Sequence, residues 1–168
     1  MTIFPMFAAY NAWANRLLYD AAAALTDEQY RADRGAYFRS VHGTLNHLLV
    51  ADLLWMRRFT GEGEAPDRLD AIVHDDLGSL RLARDREDER IATFVAGLDE
   101  AALGRLLSYR RVSAPESVTQ PLGPALFHFF NHQTHHRGQV HALLTGLVSR
   151  APSLDLLFFQ RETGIGMA

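Results

Sequence analysis

The chain contains no cysteine. That excludes disulfides and thiolate metal sites, and any thiol chemistry must draw its sulfur from a small molecule. It also lacks an excess of either charge: seventeen Lys plus Arg stand interleaved with twenty Asp plus Glu, for a net charge of −3. A phosphate-binding surface shows clustered Lys and Arg, so nucleic acid is not an expected partner. No segment approaches eighteen apolar residues in a row. The first stretch, MTIFPMFAAYNAWANRLL, has neither the basic n-region nor the unbroken apolar run of a secretory signal, so no membrane partner is expected and the protein reads as cytoplasmic. Internal repeats and low-complexity segments are missing as well.

What is present is an ordinary globular composition, 48% hydrophobic and 22% charged over 168 residues, long enough for one domain spanning 1–168 with its own core. Apolar residues recur at helical spacing from Phe4 to Leu25, with Pro5 in the first turn. Thr26 and Gln29 form a capping-box pattern for a short helix that Gly35 ends. Ser40 caps a helix predicted over Val41 to Phe59, apolar almost all the way round and therefore central and buried. Gly61 to Gly78 reads as a long crossover with a briefly helical middle near Leu69 to Ile72. A helix over Ser79 to Leu98 carries Leu80, Arg84, Glu87, Ile91, Phe94, Val95 and Leu98 on one stripe; its RDREDER run reads as a solvated, salt-bridged face. Strand-like pieces at Leu106 to Val112 and Ser117 to Gln120, in a stretch with Pro115 and Pro121, suggest a small hairpin. The last long helix runs from Leu122 to about Val148, loosened by Gly146 and stopped by Pro152.

That last helix holds five of the eight histidines, in FHFFNHQTHHRGQVHALL. At about 100° per residue, Ala125, Phe129, Val140, Leu143 and Leu147 fall within roughly 60° of arc and mark the inward face. His136 lies inside that arc and His132 on its edge, one turn apart; His128 and His135 lie further round, and His141 is on the opposite side near Phe130. Two buried imidazoles one turn apart repel when protonated, and a divalent ion resolves the conflict. Imidazole nitrogen suits Zn, Ni, Cu or Fe, but the pair is only half of such a site. A third ligand must come from another helix, and His42 and His47 both qualify, since their helix has no polar face to orient it. Asp52, in the same helix, needs an Arg or histidine partner and could stand behind a metal ligand. Asn11 with Asn15 could line a pocket, and Asn46 and Asp52 are candidates for the same role.

The segments NHQTHHRGQVHALLTGL, TLNHLLVADLLW, AYNAWANRLLYDA and LDLLFFQRE together resemble the DinB family of damage-inducible, DinB/YfiT-like metalloenzymes, over essentially the whole chain. The resemblance implies an all-α four-helix bundle of up-down-down-up topology, with the crossover between its second and third helices. It implies three histidine ligands for Ni or Zn: the histidine of TLNHLL, His47, and the first and last histidines of HQTHH, His132 and His136. It implies a thiol-dependent S-transferase or isomerase acting on a small molecule, and a homodimer. Arg137 and Gln139 belong to the shared motif without an evident role. The contrasting expectation is a metal-stabilised, stress-induced binding or scaffold protein. Histidine acting as a general base in metal-free hydrolysis ranks last, for want of a nucleophile elbow or triad.

Overall fold

In the computed structural model, which describes residues 3–112, 114, 116–148 and 150–167, several helices start or stop at a nameable device. Helix α1 (Phe4–Ala22) takes Pro5 in its first turn, where the missing N–H costs nothing. Helix α2 (Asp27–Arg31) is opened by the expected capping box, Gln29 N donating to Thr26 Oγ1 and Thr26 N to Gln29 Oε1. It ends four residues before Gly35, which instead supplies a left-handed turn with φ of 76°. Ser40 caps α3 (Val41–Thr60), accepting from Gly43 N at 3.0 Å, and Gly61 closes it at φ 80°. Asp76 caps α4 (Leu77–Ala96) through Ser79 N, so the helix starts two residues earlier than the spacing predicted.

A four-residue α5 (Glu100–Leu103) leads into the hairpin, whose strands β1 (Leu106–Arg110) and β2 (Ser117–Pro121) pair antiparallel with Ser108 opposite Thr119. Pro115 lies outside the described residues. Helix α6 (Leu122–Thr145) stops three residues short of Val148, where Leu147 and Val148 fold back onto the Leu144 carbonyl. Helix α7 (Leu156–Thr163), which periodicity did not flag, buries Phe159 against Tyr10 and Trp13 of α1.

The four long helices make up about half of the chain, and their directions follow from who meets whom. Phe4 meets Phe127 and Asn11 meets Arg137, so α1 and α6 run parallel. Asp52 meets Arg84 and Phe59 meets Phe94, so α3 and α4 run parallel. His47 meets His136 while Trp55 meets His128, so α3 and α6 are antiparallel; Asn11 on Asp88 with Asp20 on Arg81 makes α1 and α4 antiparallel.

The crossover is not helical at residues 69–72. Asn46 explains why: its Oδ1 accepts from both Val73 N and His74 N, at 2.9 and 3.0 Å, and its Nδ2 donates to the His74 carbonyl. Those backbone groups are held on α3 and cannot close a helical turn.

Of three apolar clusters, one gathers around Met56, Phe59, Ile91 and Phe129, a second around Leu18, Leu45, Leu49 and Leu144, and a third, Tyr10, Trp13, Ala14 and Phe159, seats α7 on α1. Between the first two lies a polar layer to which every long helix contributes. Arg84 sets Nη1 2.7 Å from Asp52 and Nη2 3.1 Å from Asp88, and Asn11 and Asn15 donate to Asp88. Gln133 donates to Asp52, and Arg137 donates to Asn11. Two guanidinium groups and two carboxylates leave the layer formally neutral. Burial holds the Asp52 carboxyl above the ordinary range, against the pull of Arg84.

The layer corrects two expectations. The RDREDER run is not a solvated face throughout: Arg84 is 1% exposed and Asp88 8%, because they point at Asp52 and the asparagines. Asn11 and Asn15 line no pocket at the metal cluster; they anchor Asp88.

Candidate metal centre

Helix α3 brings His47, and α6 brings His132 and His136, to one place. One nitrogen from each lies within 4.8 Å of the others, and ring centroids are 4.4 Å apart for His47 with His136 and for His132 with His136. Such a group could bind a metal ion. His47 and His136 are buried and His132 half-buried.

The hydrogen bonds around the cluster fix which ring nitrogens are free. His47 Nδ1 lies 2.7 Å from the Leu69 carbonyl, an acceptor only, so Nδ1 carries the proton and Nε2 keeps its lone pair. His136 Nδ1 lies 2.7 Å from Gln139 Oε1, which likewise leaves Nε2 bare. His47 Nε2 and His132 Nδ1 are fully buried without a hydrogen-bond partner among the described residues. Buried lone pairs without donors are costly, and a divalent cation is the partner that suits several at once. Gln139 thus has a role that the sequence reading left open: it orients an imidazole from behind.

Three groups that no periodicity argument reaches complete the site. Phe38, in the loop before α3, stacks on His47 with centroids 3.7 Å apart and meets the edge of His136 at 5.5 Å. Gly43 makes that possible, because a methyl group at its position would collide with the Phe38 carbonyl. Leu69, in the crossover, supplies the carbonyl for His47. A loop residue has no repeat to betray it; the only sequence hint was a glycine in the first turn of an otherwise apolar helix.

The remaining histidines fall elsewhere. His42 turns to the His74 carbonyl at 3.3 Å and to the Tyr30 ring. His128 and His135 are exposed, and His141 lines a separate cavity of about 700 Å³ between α1, α6 and the segment before α7. Asp52 touches Arg84 and Gln133 and no histidine of the cluster; Asn46 holds the crossover, and Arg137 belongs to the polar layer.

The cluster resists protonation. Burial, with His136 adding to it, lowers the His47 pKa to about 4, although the Leu69 carbonyl works the other way. Burial and the neighbouring histidines, His136 foremost, lower His132 to about 3. Burial also lowers His136, against Gln139. A folded pKa below the ordinary 6.5 means that the unfolded chain binds protons the folded chain refuses, so stability falls as pH drops from 6.5 through about 4. Metal-stripped protein is therefore expected to melt at progressively lower temperature between pH 7 and pH 4. A His132→Ala, His136→Ala variant, in which other groups cancel from the comparison, should show a shallower slope. Equal slopes in thermal melts would remove the electrostatic coupling from the site.

Two comparisons place the chain among known proteins. The DinB family model matches residues 2–167. Protein DinB of Bacillus subtilis (strain 168) is 24% identical over 168 residues, covering 92% of each chain.

Proposed function

The chain belongs to the DinB family, and from that premise we propose that it is a metal-dependent, thiol-using S-transferase, a single domain over 1–168 with His47, His132 and His136 as ligands of Ni or Zn. The observation that carries the ligand assignment is the convergence of three imidazoles, two with their outer nitrogens already committed to Leu69 and Gln139. Parallel α1 with α6 and parallel α3 with α4 support the up-down-down-up four-helix bundle.

A divalent ion held by His47, His132 and His136 would supply Lewis acidity, lowering the pKa of a small-molecule thiol so that it reacts as thiolate at neutral pH. The chain's own part is to hold and shield. Leu69 and Gln139 fix two ring orientations, Phe38 covers His47 from solvent, and burial keeps the three rings neutral. Catalysis, rather than a closed structural site, is supported by a cavity of about 410 Å³ whose wall includes His132 and Leu69. No cysteine competes with a small-molecule thiol. Among the described residues no helix is long and apolar enough to cross a membrane. A cytoplasmic role in stress response or detoxification is part of the proposal. Exposed Phe127, Leu157 and Phe158 support a homodimer.

The test starts from tag-free protein. Elemental analysis is expected to find close to one metal ion per chain. A panel of low-molecular-weight thiols with 1-chloro-2,4-dinitrobenzene should then show turnover that chelation removes and metal restores. Stoichiometric metal with inertness toward every thiol would favour the metal-stabilised scaffold; protein without metal would sink both readings.

A further inference from the structure

The cavity beside His132 carries a charge that the cluster does not explain. It lies between α3, the hairpin and α6, with Trp55, Leu54 and Val118 giving it apolar walls. Two arginines, Arg58 and Arg111, line it, and no carboxylate does. Arg111 is already paired with Glu116 at 3.4 Å. Arg58 is not so paired: among the described residues no acid contacts it, and its one described hydrogen bond is Nη2 to the Arg110 carbonyl at 3.2 Å.

Its guanidinium caps two touching rings, 4.6 Å from the Trp55 centroid and 4.5 Å from that of Tyr109, with the rings themselves 5.1 Å apart and inclined at 65°. Tyr109 is itself held by Gln120 Nε2 at 2.9 Å and by its edge contact with Trp55. These two ring contacts hold a fork that has five N–H donors and, among the described residues, uses one. A planar cation, immobilised, partly desolvated and short of acceptors, matches a carboxylate in shape as well as in charge. Exposed His128 lies next to it, with its ring 5.2 Å from Trp55 and 5.9 Å from His132. The cation and the cluster therefore open onto one cavity.

We propose that this cavity binds a small organic carboxylate with an apolar body, its carboxylate on Arg58 and its body along Trp55, Leu54 and Val118, the far end directed toward His132. The assignment deepens the metal-dependent reading and rests on it for the meaning of that far end. The anion contact itself does not need the metal, which makes the two separable. Arg58 is here a binding residue, and its cation–π contacts also tie the hairpin to α3.

The test compares 3-phenylpropanoate with 3-phenylpropanamide, equal in shape and different in charge, by isothermal titration calorimetry on the full chain, both as purified and metal-stripped. The acid is expected to bind at least about tenfold more tightly than the amide in both forms, the size of one charge-assisted hydrogen bond or more. In Arg58→Met the advantage should vanish, and in Arg58→Lys it should return in part. A purely structural Arg58 would lower the melting temperature of the variant and leave the acid-to-amide ratio unchanged, and that result overturns the proposal. So does equal affinity for acid and amide in the unaltered protein, or a preference that disappears on stripping the metal. Absence of metal from purified protein, read separately by elemental analysis, would remove the catalytic reading and leave the Arg58 result standing.

Discussion

Protein carrying both His132→Ala and His136→Ala is expected to purify with less than about a tenth of the metal of the unaltered chain, since one remaining imidazole cannot hold a divalent ion against water. The expectation follows from geometry: α6 supplies two of the three nitrogens of the one group of described residues whose ligand atoms converge. Because a ligand of the folded state stabilises it in proportion to its affinity, chelation should lower the melting temperature of the unaltered protein and leave that of the double variant unmoved. Gln139→Leu provides the graded control. It keeps all three ligands and removes the acceptor on His136 Nδ1, so metal affinity should weaken by about 10- to 100-fold without being lost. Full metal content in the double variant, measured by elemental analysis, would show that the ion sits elsewhere.

The largest loss of stability is expected from Arg84→Met. The side chain is 1% exposed and stands between Asp52, at 2.7 Å, and Asp88, at 3.1 Å. Methionine fills much of the volume but leaves two carboxyl groups facing each other in a dry interior. Removing one partner of a buried pair costs about 3–5 kcal/mol, which for a chain of this length corresponds to a fall in melting temperature on the order of 10 °C. Asp52→Asn is the milder change, because Arg84 keeps Asp88 and the amide can still meet Gln133. Urea denaturation of the two variants should rank them in that order. A loss of under about 1 kcal/mol for Arg84→Met would mean that the layer is hydrated and its charges are screened.

How far the site could be read from the sequence depended on which residues had neighbours of contrasting character. His132 and His136 stand on a helix with apolar and polar sides, so the angle of each from the apolar arc was informative, and both are where that angle put them. His42 and His47 stand on a helix buried on all sides, where angle carries no information; the resemblance to the DinB family picked His47, and the structure turns His42 to the crossover. Phe38 and Leu69 were illegible because loops have no period. Arg84 and Asp88 were half legible: the stripe through Leu80 and Ile91 passed over Arg84, yet alternating charges argued for water. The general preference of charge runs for solvent was overridden by Asp52 on α3, which pairs with Arg84, and by the amides of Asn11 and Asn15 on α1, which donate to Asp88. Asn46 was read as a pocket residue and instead replaces the hydrogen bonds that a helix at residues 69–72 would have made.

Gln133 lies next to His132 in the chain and donates both to Asp52 and to the Leu48 carbonyl, the residue after His47. That contact acts as a pin between two antiparallel rods. If α3 and α6 slipped by a single turn, about 5.4 Å, Gln133 would meet Leu48 or Met56 in place of Asp52, and His47 would be carried past the gap it shares with His136. The spacing of the three nitrogens is thus borrowed from a pin that touches none of them, and metal affinity becomes a gauge of axial alignment. A substitution at Asp52 or Gln133 that leaves the protein folded can still cost it its ion.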